Sequence, residues 1–144
     1  MSGIRQPTLS GMTQPANAAP APLRVLVVDA DDRIRESLAR LLPIGGRCLV
    51  VATAGQPDSA LDLAASMVPD VVVVDSRLPD IGADGTFIER LRAVAPDVRI
   101  VVLNWSASAD SPVGLSGADV YIRKTFRAHE LIDAVVSAAS KTVA

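Results

Sequence analysis

Aromatic residues are scarce in this chain: one Trp, one Tyr and two Phe, 3% of 144 residues. Any core must be built from Val, Leu, Ile and Ala, and an apolar content of 49% is ample for one. Cys48 is the single cysteine, which excludes an internal disulfide and a cysteine-held metal cluster; it reads as a small buried hydrophobe. His129 is the single histidine and reads as solvated near the start of a helix. Neither charge dominates, with 14 basic against 16 acidic residues and a formal net charge of −2. That balance excludes the basic footprint of a nucleic-acid binder. No apolar run reaches the roughly 20 residues that span a bilayer. Arg5 has no apolar segment behind it, so no secretory leader is read. These absences predict a soluble cytoplasmic protein, and the length suggests one domain.

What the chain does have is a run of four valines, Val71 to Val74, between Asp70 and Asp75. β-Branched residues fit a pleated surface. A continuous apolar run, rather than an alternating one, predicts a strand buried on both faces, as in a parallel sheet covered by helices. The run stops abruptly at Asp75. Ligands and catalytic groups gather at the carboxyl ends of such strands.

Residues 1–22 carry Pro7, Pro15, Pro20 and Pro22 among small polar residues and read as a disordered tail. The remainder, 23–144, reads as the folded domain. Leu23 to Val28 is a first strand, ending at Asp29. A helix follows, with Ile34, Leu38, Leu41 and Leu42 at helical spacing, Asp31 or Asp32 as its cap, and Pro43 with Gly45-Gly46 as its stop. Cys48 to Thr53 is a second strand. Gln56-Pro57-Asp58 opens a helix whose inward face is read as Leu61, Ala64, Ala65 and Val68. After the valine strand, a helix carries Phe87, Ile88, Leu91 and Val94. Arg99 to Leu103 is a fourth strand, ending at Asn104. Ser106 to Gly117 makes a short or broken fourth helix, since Pro112 and Gly114 interrupt it. Val120 to Ile122 is a fifth strand ending at Arg123-Lys124, and a last helix starts near Ala128.

Five β–α units with short connections predict an α/β fold: a five-stranded parallel sheet of flavodoxin-like order 2-1-3-4-5 with helices on both faces. In that order the ends of strands one, three, four and five share an edge. Asp29, Asp75, Asn104 and Lys124 should therefore converge. Two carboxylates with mixed oxygen donors suit Mg²⁺, which keeps several waters. A carboxylate can also attack phosphorus, with metal and a lysine offsetting the charge that develops. Asp75 as nucleophile, Asp29 as metal ligand and Lys124 as charge clamp fit that division.

With these pieces placed, the chain resembles the receiver domains of two-component response regulators. The resemblance rests on Val27-Val28-Asp29, Asp75-Ser76-Arg77-Leu78-Pro79, Gly85, Gly117-Ala118-Asp119 and Tyr121-Ile122-Arg123-Lys124-Thr125-Phe126. It implies that Asp75 is the phospho-acceptor and that Asp29, Asp75 and the backbone carbonyl of Arg77 hold Mg²⁺. It further implies that Lys124 contacts the phosphoryl group, and that Tyr121 reports the active state. Implied partners are a histidine kinase or phosphotransfer protein, a downstream protein, and a second copy in a homodimer. Membrane and direct nucleic-acid contacts are not implied. The expected role is a single-domain response regulator, with no enzymatic activity beyond its own phosphorylation and dephosphorylation.

Several positions depart from the family. The second acid of the usual pair is Ala30, which removes a metal ligand and leaves Asp31 or Asp32 as a substitute. The usual Thr or Ser after strand four is Asn104, followed by the bulky Trp105. The loop from Pro79 to Gly85 is about two residues longer than usual, and Thr125 replaces a proline. With a ligand lost at Ala30, the implied Mg²⁺ is expected to bind weakly, and the departures motivate a second reading, a phosphorylation-independent interaction module. A remote third rests on Asp29-Ala30-Asp31, which has the D-x-D spacing of haloacid-dehalogenase-like phosphatases.

Overall fold

The computed structural model describes residues 21–76, 86–104, 118–123 and 127–140. Its strands are β1 Leu23–Val28, β2 Cys48–Ala54, β3 Val71–Asp75, β4 Arg99–Asn104 and β5 Val120–Arg123. They form one parallel sheet in the order β2-β1-β3-β4-β5, as expected. The helices among the described residues are α1 Asp32–Leu41, α2 Pro57–Met67, α3 Thr86–Val94 and α4 Ala128–Ser140. Except for its last two residues, the expected tail over 1–22 lies outside the described residues, as does the interrupted helix expected between Ser106 and Gly117.

The valine run explains the layering. Val72 and Val74 pack into a core with Ala60, Leu61 and Ala64 of α2 and Phe87, Ile88 and Leu91 of α3. Val71 and Val73 pack into a second core with Leu38 of α1 and Leu131, Ile132 and Val135 of α4. Successive side chains on a strand point to opposite faces, so one uninterrupted apolar run serves both cores. All four valines are fully buried. Each contributes roughly 1.5–3 kcal/mol relative to an exposed side chain. Cys48 belongs to the second core, in keeping with its expected role as a small hydrophobe, and His129 is exposed.

Local chemistry sets the helix ends. Asp31 has extended backbone and caps α1, its carboxylate accepting from the amides of Arg33 at 2.9 Å and Ile34 at 3.2 Å. Pro57 sits in the first turn of α2, where its missing N–H costs nothing. The inward face expected for α2 needs correction. Ala60, Leu61 and Ala64 are buried, but Ala65 is exposed, and Val68 is 65% exposed. Val68 ends α2 in the left-handed conformation at φ 46°, which swings it off the helical stripe.

Candidate functional site

The site follows from sheet register. Val28 of β1 pairs with Val74 of β3, so the next residues, Asp29 and Asp75, leave adjacent strands side by side. They are the buried charged residues among the described residues, at 0% and 3% exposure. Carboxylates withdrawn from water are costly unless hydrogen bonds or cations compensate them. Asp29, Ala30, Asp31 and Asp75 line an open cleft of about 320 Å³ at the carboxyl edge of the sheet. A buried acid pair facing a cleft is the arrangement expected for binding or chemistry rather than for packing.

Asp29 is held from several directions. Its amide donates to the Ala54 carbonyl at 3.0 Å. Its Oδ1 accepts from the Asp31 amide at 2.9 Å. Its carbonyl accepts from Arg35 Nη1 at 2.8 Å, and the other arm of that guanidinium pairs with Asp32. Asp75 pairs in register with Leu103 of β4, and the following amide, of Ser76, donates to the Leu103 carbonyl at 2.9 Å. The Ser76 hydroxyl donates to Asn104 Oδ1 at 3.4 Å. That contact ties the ends of β3 and β4 together.

The remaining candidates divide. Asp31 lines the cleft while one of its oxygens caps α1. Asp32 is 77% exposed and paired with Arg35, away from the lining. Tyr121 pairs with Val102, is half-buried, and rests against the core beneath α2 and α3. Lys124, the Arg77 carbonyl, Trp105, Thr125 and the loop from Pro79 to Gly85 lie outside the described residues. Arg35 carries no motif of its own. Three residues after Asp32 on a helix, it reads from sequence as a surface ion pair.

The donor chemistry fits a small hard cation. Asp29 and Asp75 supply carboxylate oxygens at the cleft, and Ala30 supplies none. Among the described residues no cluster of three or more His, Cys, Asp or Glu could hold a metal by itself. Mg²⁺ suits so sparse a set because it keeps several of its waters.

A five-stranded parallel sheet of this order with an acid pair at the ends of β1 and β3 defines a class: α/β domains that work on a ligand at their carboxyl edge. The response regulator receiver domain family matches residues 25–136, and the chain belongs to that family. It is 43% identical over 114 residues to the response regulator MprA of Mycolicibacterium vanbaalenii, covering 77% of this chain and 48% of that protein. The MprA of Mycobacterium avium is 41% identical over 113 residues, covering 76% of this chain and 48% of the relative. The chain thus spans about half the length of the curated relatives it matches.

Solved structures agree. A LuxR-family two-component response regulator from Aurantimonas aligns with TM-score 0.72 at 26% identity, covering 83% of this chain and 86% of that one. The response regulator domain of Thermotoga maritima CheB aligns with TM-score 0.72 at 23% identity, covering 85% and 99%, a likeness of fold. Membership in this signalling family leaves the phosphatase reading of Asp29-Ala30-Asp31 without support. No helix among the described residues is long and apolar enough to cross a membrane.

Proposed function

We propose that this receiver accepts a phosphoryl group on Asp75. The observation that carries the reading is the pair of buried carboxylates, Asp29 and Asp75, at adjacent strand ends on one cleft. An oxygen of Asp75 attacks the phosphorus of a phosphohistidine on a histidine kinase or phosphotransfer protein. The O–P bond forms as the P–N bond breaks, and the electron pair returns to the imidazole nitrogen, which takes up a proton. Asp29, Asp75 and the Arg77 carbonyl would hold Mg²⁺, with Asp31, which lines the same cleft, as a further source of oxygen. The bound cation offsets negative charge on the carboxylates and the transferring group. Lys124 neutralises another phosphoryl oxygen, and Asn104 donates a hydrogen bond through Nδ2.

The acyl phosphate changes the charge at the ends of β3 and β4. Tyr121, on β5 beside β4, carries that change toward a downstream protein or a second copy of the domain. Its self-phosphorylation and self-dephosphorylation are then the whole of its chemistry, carried out in the cytoplasm. The absent oxygen at Ala30 keeps Mg²⁺ binding weak.

The test is incubation with a small phosphodonor and Mg²⁺, followed by intact mass. One phosphoryl mass is expected, lost in Asp75→Asn. Mass that persists in Asp75→Asn overturns Asp75 as the acceptor, and no added mass overturns the reading and leaves a phosphorylation-independent interaction module.

A further inference from the structure

We propose that Arg35 is a positioning residue that aims the Asp29 carboxylate into the cleft, and that Gly55 exists to admit it. The inference rests on the reading of Asp29 as a metal ligand, but the placement of Asp29 is testable without metal. Arg35 sits on α1, and its guanidinium reaches back across the helix start. Nη1 donates to the Asp29 carbonyl at 2.8 Å, and Nη2 is anchored by Asp32. The side chain is 21% exposed, far less than its partner Asp32 at 77%. It is therefore a covered strut rather than a surface ion pair, and the planar fork spans two acceptors that a lysine cannot bridge together.

Gly55 follows β2 directly. A Cβ built there would lie 2.8 Å from Arg35 Nη1 and 3.8 Å from the Asp29 carbonyl. Any side chain at this position displaces the guanidinium. Because its φ is not in the left-handed region, the reason for glycine here is space and not backbone conformation. Ala54, the residue before it, accepts the Asp29 amide at 3.0 Å. The Asp29 peptide is thus pinned by β2 on its N–H and by Arg35 on its C=O. With the backbone fixed, Oδ1 is occupied by the Asp31 amide.

This matters more here than where two acids share the metal. With Ala30 in the second position, the site relies on one well-aimed carboxylate from the β1 end. Groups that orient a metal ligand without touching the metal commonly carry about 10- to 100-fold in affinity.

The sign of the effect separates positioning from charge. Removing a nearby cation should, by relief of Coulomb repulsion alone, tighten Mg²⁺ binding. Loss of aim should weaken it. The experiment compares the full chain with Arg35→Gln, Arg35→Lys and Gly55→Ala. Gly55→Ala keeps every charge and needs only the far end of a flexible side chain to move. In metal-free protein, hydrogen exchange at the Asp31 amide reports directly on the Asp29 carboxylate. Faster exchange in Arg35→Gln and Gly55→Ala is expected, with Arg35→Lys recovering little. Unchanged Asp31 exchange in both variants overturns the inference. Mg²⁺ titration by calorimetry should weaken about 10-fold or more in the same two variants, with little change in the unfolding midpoint. Tighter or equal Mg²⁺ binding in both also overturns it. If the parent chain binds no Mg²⁺ the proposed function fails, while the exchange result still decides the role of Arg35. Should Arg35→Gln fail to fold, Gly55→Ala decides alone.

Discussion

The Asp70 carboxylate accepts the backbone N–H of Arg24 at 2.9 Å, joining β3 to β1 at the end of the sheet opposite Asp75. The same residue donates its own amide to the Arg24 carbonyl at 2.8 Å and accepts the Arg99 amide at 3.0 Å. The valine strand is thus bounded by two aspartates with different work. Asp70 is exposed and closes the backbone ladder, whereas Asp75 is buried at the cleft. Asp70→Ala is expected to lower unfolding free energy by about 0.5–1.5 kcal/mol, the worth of one such hydrogen bond. It should leave phosphoryl acceptance unchanged. Urea unfolding and the phosphodonor assay read the two effects separately.

Val68 offers the opposite result, a stabilising change. A β-branched residue in the left-handed region carries a steric cost of roughly 1–2 kcal/mol. The neighbouring structure holds it there, since the Val68 carbonyl accepts from Arg24 Nη1 at 2.7 Å and its amide donates to Ala64. Its side chain is 65% exposed and contributes little packing. Val68→Gly should raise the unfolding free energy by about 0.5–1 kcal/mol, after allowing for the greater freedom of glycine in the unfolded chain. A decrease on urea unfolding would show that the valine side chain packs more than its exposure indicates.

Val68 also marks where a one-dimensional reading ends. Helical periodicity placed it inward with Leu61 and Ala64, and nothing local announces the left-handed turn, whose carbonyl is held by Arg24 on another element. The strands were readable because their apolar runs end in charge: β1 at Asp29 and β3 at Asp75. Their neighbourhood follows once a parallel order is assumed, because Val28 and Val74 are in register. Asp31 as helix cap was equally readable, since its bonds to Arg33 and Ile34 are local. Arg35 was not, because its meaning depends on a gap at Gly55 that only the folded chain brings beside it.

Cys48 should behave as a chemically quiet thiol. Burial pushes its pKa above the ordinary cysteine range, with the nearby Arg47 pulling weakly the other way. A raised pKa means the folded chain holds the proton more tightly than the unfolded one. Stability therefore falls as pH climbs past the unfolded thiol's ordinary pKa, and neutral conditions carry no penalty. Labelling with a thiol-reactive disulfide near neutral pH should be far slower than in urea. Labelling at the unfolded rate in the native protein would contradict the burial.

Ala30 is the position at which a single atom group tests the whole site. It is exposed on the cleft between Asp29 and Asp31. Ala30→Asp adds a fourth carboxylate to a lining that already holds Asp29, Asp31 and Asp75. Without cation the added negative charge is repelled by its neighbours, so unfolding in chelator should become easier. With Mg²⁺ present the same oxygen becomes a ligand, and affinity should rise on the order of tenfold, the scale of one well-placed group at a metal site. The two effects have opposite signs, so the variant should be less stable than the parent in chelator and gain more from saturating Mg²⁺. Asp75→Asn in the same background removes a second ligand and should reverse the gain. A variant equally stable in chelator and Mg²⁺ would mean that the cleft does not gather a cation around Asp29 and Asp75.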